Sequence, residues 1–230
     1  MKKILINALI VLGLIALVLA INSGSIVLMG IEENLNPVLK WLAVLVYIAL
    51  VIIVILWLWK WYQKKVPLDI KNQKIGWKDM GIVFLLYLAG RIVAVVGTVV
   101  NQMLSGNAMS MNDQAIFGLL DRMKEGFLPF AFLFLLTISF IAPLIEELVF
   151  RGLASKLLFP RGKTWLAGIV TSILFALPHS SNLVEAIMYF GIGGLLYLAY
   201  VRRGNIKDSI CLHILNNLPP ALYLLYLILS

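Results

Sequence analysis

The sequence is short of what soluble enzymes are made from. Of its 230 residues only 13% are charged and 62% are hydrophobic, whereas an ordinary soluble domain carries roughly 25% charge. A single cysteine, Cys211, excludes an intramolecular disulfide and a thiolate metal cluster. There are two histidines, and neither sits in an HExxH helix, so that zinc-protease motif is absent. The chain also lacks an internal repeat, a low-complexity stretch and a run of like charges, and its polar connections are too short for a second domain. The net charge of +8 would suit a nucleic-acid partner, but its distribution argues against one.

What the sequence does have is long apolar runs. Seven stand out, at about 4–21, 38–59, 80–104, 127–150, 164–178, 183–201 and 209–229, each near the roughly 20 residues a membrane span needs. The expected fold is therefore all-α: a polytopic membrane bundle of about seven, at most eight, transmembrane helices forming one integral domain over 1–230. Of the 19 basic residues, 14 fall in the loops of one face, from Lys2 and Lys3 through the 60–79, 151–163 and 202–208 segments, including Arg161 and Lys163. Basic loops stay cytoplasmic, which predicts a cytoplasmic N-terminus, a cell-membrane location, the lipid bilayer as partner and no nucleic acid. Residues 1–21 look like a signal peptide with a cleavage site at Val18-Leu19-Ala20, but the apolar run is long for one, and a retained helix is expected.

Ionisable residues inside spans are costly and usually functional. Glu146-Glu147-Leu-Val-Phe-Arg151 closes the fourth stretch. Adjacent helical residues diverge by about 100°, whereas i and i+4 share a face, so Glu147 should pair with Arg151 and leave Glu146 free. Phe175 and His179 have the same spacing in the fifth stretch, as do His213 and Asn217 in the seventh. The plainer reading of each, an interfacial cap or helix stop, weakens when both histidines have such companions. Pro143, Pro178 and Pro219-Pro220 flank the three groups, and each should expose the carbonyl four residues earlier. A cavity shared by the fourth, fifth and seventh stretches is expected, with Gly191, Gly193 and Gly194 allowing the sixth to pack closely. Arg91, alone in its apolar run, needs water or a partner, with Glu147 or freed carbonyls as candidates, and a structural role is favoured.

A carboxylate, two imidazoles and a carboxamide around one wet pocket can activate water and stabilise an oxyanion, the requirements of peptide hydrolysis. The same residues allow a second mechanism, in which Glu146, His179 and His213 bind zinc; spacing does not choose between them. The span from Thr164 to His179 is only 16 residues, about 24 Å at 1.5 Å per residue, so the fifth helix must be short and deeply seated for the four side chains to converge.

Glu-Glu-x-x-x-Arg, Phe-x-x-x-His and His-x-x-x-Asn, in that order and each within an apolar segment, resemble the motifs of the CAAX-processing and bacteriocin-processing (CPBP, or Abi) intramembrane proteases. The resemblance covers about 127–230, a catalytic helical core, and leaves 1–126 without a matched motif. It implies an intramembrane endopeptidase in which Glu146, His179, His213 and Asn217 are catalytic and Glu147, Arg151 and Phe175 supporting. Its substrate would be a membrane-associated, lipidated or bacteriocin-like peptide, with a role in bacteriocin self-immunity. Metal stays open within that resemblance, and a non-catalytic immunity protein on the same scaffold is the alternative. A transporter is disfavoured by the lack of repeats.

Overall fold

The computed structural model describes residues 2–160 and 164–230; Arg161 and Lys163, part of the topology argument, lie outside them. The described residues are helical, without strands. Six helices are long and apolar enough to cross a membrane: Lys2–Asn34, Pro37–Gln63, Trp77–Ser105, Leu128–Leu158, Leu183–Arg203 and Ile206–Leu229. The seventh apolar helix, Thr164–His179, is shorter, and no eighth is found among the described residues. The chain is a multi-pass integral membrane protein, and among the described residues six helices have spanning length, with Thr164–His179 as a shorter seventh apolar helix.

In chain order the helices are α1 (Lys2–Ile31), α2 (Pro37–Gln63), α3 (Leu68–Lys71), α4 (Trp77–Ser105), α5 (Met111–Phe117), α6 (Leu120–Glu125), α7 (Leu128–Leu136), α8 (Ala142–Glu147), α9 (Ser155–Leu158), α10 (Thr164–Ala176), α11 (Leu183–Arg203) and α12 (Ile206–Leu229). The fourth long helix joins α7, α8 and α9 through two π-helical stretches, Thr137–Ile141 and Leu148–Ala154. It is the interior post of the bundle: Phe130, Phe134, Ile145, Leu148 and Leu153 are almost wholly buried. By contrast α2 keeps Trp41, Leu45 and Ile53 more than half exposed, as a helix with a lipid-facing side should. α1 buries Val11, Leu14, Val18, Ile21 and Met29, and Asn7 Nδ2 donates to the Leu157 carbonyl at 2.7 Å. The signal-like run packs against the bundle as part of α1.

Hydrogen bonds tie the basic loops into one end. Lys207 Nζ donates to the Gln73 carbonyl at 3.0 Å and Arg203 Nη1 to that of Lys74 at 3.0 Å. Gly204, at φ 68°, takes the left-handed conformation that reverses the chain between α11 and α12. Glu32 and Glu185 lie at the other end, where Phe127 N donates to Glu32 Oε2 at 3.0 Å and Met111 N to Glu185 Oε1 at 2.9 Å. The basic end is the one that charge sorting assigns to the cytoplasm.

Close packing of α10 on α11 depends on small residues. A Cβ at Gly168 would stand 2.7 Å from Tyr197 Cδ1, and one at Gly193 would stand 3.1 Å from Ser172 Cα and 3.3 Å from Phe175 Cδ1. Of the three glycines singled out in α11, Gly193 fits the expectation best; a Cβ at Gly191 would stand 3.2 Å from Val93 Cγ1, and one at Gly194 would meet nothing within 4 Å, so Gly194 plays no such part.

Candidate active site

The three polar groups meet at a cavity of about 460 Å³, whose lining includes Glu146, His179, His213 and Asn217. It is not confined to the fourth, fifth and seventh apolar stretches. Asn22 of α1, Arg91 of α4, Asp113 of α5 and Tyr189 of α11 also line it, so the half of the chain without a matched motif supplies part of the wall.

Glu147 and Arg151 form the expected i, i+4 pair, Nη1 to Oε1 at 3.0 Å, with both side chains fully buried. Arg151 also donates through Nη2 to the Gly193 carbonyl at 2.9 Å, and its guanidinium lies 4.6 Å from the Phe175 ring centre. Such a pair is costly to desolvate and costlier to break, and here it carries a further load. Glu147 Oε1 also accepts from His213 Nδ1 at 3.0 Å, while His213 Nε2 lies 3.8 Å from Glu146 Oε2. The expectation that the two glutamates face different places therefore needs correction. They diverge along the helix, but the two ring nitrogens of one imidazole also point apart, and a single histidine reaches both.

Glu146 is 3% exposed. Its Oε1 accepts from Asn22 Nδ2 at 2.7 Å, while its Oε2 is buried without a hydrogen-bond partner among the described residues. It is thus half free: one oxygen is held by α1, and the other is left as an unengaged acceptor.

His179 occupies the single 3-10 turn Leu177–His179 that ends α10 at Pro178. Its Nδ1 is 2.7 Å from the Phe175 carbonyl. A carbonyl only accepts, so Nδ1 carries the proton and Nε2 is left with its lone pair. The ring stacks on Phe175 with centres 4.7 Å apart and lies beside Tyr189 at 5.2 Å; Phe175 also meets His213 edge-on at 5.6 Å. Phe175 is therefore the common support of both imidazoles and of Arg151. The short α10 is what brings His179 to the cavity: a full-length span would carry it past.

Asn217 Nδ2 donates to the Ile138 carbonyl at 2.9 Å, and the reason this carbonyl is open lies in the sequence. In the π-helical stretch Ala142 N bonds back five residues to the Thr137 carbonyl, so the Ile138 carbonyl would take its bond from residue 143. That residue is Pro143, which has no N–H. The carbonyl that proline makes available to the site is thus five residues back, not four, because the helix is locally wound wider. Pro219 and Pro220 do not break α12, which runs on to Leu229.

The zinc alternative can be compared with this geometry. Among the described residues no group of three His, Cys, Asp or Glu side chains is close enough to hold one metal ion. Glu146 and His213 approach as a pair, and His179 lines the same cavity. Nor does Arg91 reach Glu147, whose Oε1 is taken by Arg151 and His213. Asn22, Tyr189 and the Gly193 carbonyl had no local signal: each acts across helices remote in sequence, and periodicity within one helix does not report such contacts.

Residues 128–219 match the family profile of Rce1-like type II CAAX prenyl endopeptidases. The chain is 29% identical over 162 residues to the membrane-embedded CAAX protease MroQ of Staphylococcus aureus (strain USA300), an alignment covering 66% of this chain and 60% of that protein. It is 24% identical over 148 residues to the protein YdiL of Bacillus subtilis (strain 168), covering 62% of this chain and 57% of the other. A 24.3 kDa Escherichia coli protein is 36% identical over 90 residues, covering 37% of this chain and 42% of the other. The chain thus spans about 60% or less of the length of these relatives. No solved structure matches. Every residue of the three motifs, from Glu146 to Asn217, lies within the segment that is similar to the Rce1-like CAAX proteases, so the likeness falls on the residues that line the cavity.

Proposed function

We propose that the protein is an intramembrane endopeptidase that hydrolyses a lipidated or otherwise membrane-associated peptide with a water activated by Glu146 and His179. The observation that carries this reading is the lone-pair arrangement around the cavity. His179 is pinned through Nδ1 and Glu146 through Oε1, which leaves Nε2 and Oε2 as acceptors for the hydrogens of a water. Two fixed acceptors orient that water and take its proton.

Glu146 removes the proton, the hydroxide oxygen bonds to the scissile carbonyl carbon, and the carbonyl oxygen becomes an oxyanion. Asn217, held at Ile138 by one amide hydrogen, has the other to donate. His213, held through Nδ1 on Glu147 Oε1 and with Nε2 turned to the cavity, is the second donor when Nε2 carries a proton. Preorganised donors of this kind are worth about 2.7–4 kcal/mol each. The C–N bond then breaks as Glu146 returns its proton to the leaving amine. Arg151 and Phe175 hold this geometry without touching the substrate.

The name of MroQ supports CAAX-type peptides as the first substrates to try, with bacteriocin-like peptides, and a role in self-immunity, as the second class to test. Purified protein in lipid nanodiscs, incubated with farnesylated CAAX peptides and followed by mass spectrometry, should release a C-terminal fragment. Activity should survive 1,10-phenanthroline. Inactivation by the chelator that zinc restores would contradict the metal-free mechanism, and absence of cleavage across the peptide panel would contradict hydrolysis of this substrate class.

A further inference from the structure

A second cavity, of about 480 Å³, lies at the basic end of the bundle, and Lys65, Ser155, Lys156, Thr164, Tyr197 and Tyr200 are among its lining residues. None of these lines the first cavity. Lys65 and Lys156 form no salt bridge among the described residues. Two acids of that end are engaged elsewhere: Asp79 and Asp208 are each bridged by both Arg202 and Arg203 at 2.6–3.0 Å. Tyr200 is 6% exposed. Its hydroxyl makes no hydrogen bond among the described residues and is open to the cavity, whereas that of Tyr197 donates to the Thr164 carbonyl at 2.7 Å. A nearly buried hydroxyl with its proton to give, in one cavity with two ammonium groups that have no anion, is a receptor for an oxyanion such as phosphate.

The helices give the level of this cavity in the bilayer. Lys65 is two residues past the end of α2, Ser155 and Lys156 open α9 at the end of the fourth long helix, and Tyr200 is three residues before the end of α11. Trp59 and Trp61 near the end of α2, Trp77 at the start of α4 and Trp165 at the start of α10 stand at the same end, the last two 94% and 70% exposed. Tryptophans of this kind sit at the headgroup level of a membrane, which is where lipid phosphates lie. Phe159 and Val201 add apolar wall, which the glycerol and upper acyl carbons of a lipid cover and a free phosphate leaves wet. The volume falls within the range of about 300–1,000 Å³ usual for a small-ligand pocket.

We propose that this cavity binds the phosphate of an anionic phospholipid from the cytoplasmic leaflet, with Lys65 and Lys156 supplying charge and Tyr200 a hydrogen bond. The lipid bridges α9, α10 and α11 where α10 begins, and α10 is the helix whose short length carries His179 to the first cavity. Ser155 Oγ also donates to the Arg151 carbonyl, so the lipid site and the Glu147–Arg151 pair share one segment of backbone. The proposal does not depend on hydrolysis, and its test reads binding and stability rather than cleavage.

Purified protein in detergent micelles is followed by native mass spectrometry and thermal unfolding at matched concentrations of phosphatidylglycerol, phosphatidylcholine and inorganic phosphate. Wild type should retain phosphatidylglycerol about tenfold more tightly than phosphatidylcholine and unfold at a higher temperature in its presence. K65Q/K156Q should weaken that binding by about 30-fold, the weight of two basic groups, and Y200F by about tenfold, each with its lipid-free unfolding temperature close to that of wild type. K65R/K156R should bind as wild type does. So should K64Q/K78Q, which removes two exposed lysines of the same end that lie outside the cavity. Equal loss in K64Q/K78Q would mean diffuse attraction to a basic surface and would overturn the site. Equal retention of phosphatidylcholine, or binding unchanged in Y200F and K65Q/K156Q, would overturn it too. Stabilisation by inorganic phosphate that matches that by the lipid would make the ligand a soluble anion and contradict the lipid assignment. Should K65Q/K156Q fail to fold, Y200F, which removes a single oxygen, decides together with K65R/K156R.

Discussion

At the scale of single residues, the site is an arrangement of hydrogen-bond valences more than a set of residue types. Glu146, His179, His213 and Asn217 could be named from their letters because each is a polar residue in an apolar run. Their protonation and orientation could not, because these depend on partners far off in sequence: Asn22 for Glu146, Glu147 for His213, and the Ile138 carbonyl for Asn217. Asn22 makes the point most clearly, as an unremarkable amide near the end of a signal-like run. Asn22→Leu removes the donor to a buried carboxylate oxygen, a loss of about 1–3 kcal/mol. It should lower kcat by about 10- to 100-fold with little change in KM, and an unchanged kcat would show that Oε1 does not need its donor. Arg151→Met leaves Glu147 as an uncompensated buried charge and should cost about 3–5 kcal/mol, read as earlier thermal unfolding in detergent. Adding Glu147→Gln should recover much of that stability without restoring activity, since His213 then lacks its carboxylate.

Among the elements, the decisive features are a helix that is too short and a helix that is wound too wide. The shortness of α10 was legible from the 16 residues between Thr164 and His179, and with it the need for a deep seat. The π-helical stretches were not legible, because proline predicts a lost donor without predicting how the carbonyls before it re-pair. Pro143→Ala tests this link: it supplies an N–H to the Ile138 carbonyl in competition with Asn217. Stability should hold or rise while hydrolysis falls about tenfold, consistent with loss of a positioned oxyanion donor. Equal activity would mean that the Ile138 contact does not position Asn217. At the α10–α11 contact, Gly193→Ala puts a methyl against Ser172 and Phe175. Overpacking of this kind costs about 1–3 kcal/mol, and because Phe175 supports both histidines, activity should fall more steeply than stability.

For the whole molecule, composition alone marked a membrane bundle, and the basic loops do collect at one end of it. The count turns on α10, which is apolar but shorter than the six long helices. In the bilayer, Lys74→Cys in a Cys211→Ser background should resist an impermeant maleimide added outside intact cells, while Asn107→Cys, at the opposite end, should label. The reverse pattern would invert the orientation. The bundle also joins the two halves of the chain around one cavity: 128–219 carries the groups proposed to react, while α1 and α4 contribute Asn22 and Arg91 to its wall. The central claim, that Glu146 is the base that activates water, is tested most directly by cleavage rates of wild type and E146Q on the same peptide in nanodiscs. The isosteric amide keeps the fold but removes the base, and kcat should drop by about 10²- to 10⁴-fold; a well-inserted E146Q that cleaves at the wild-type rate would contradict the account.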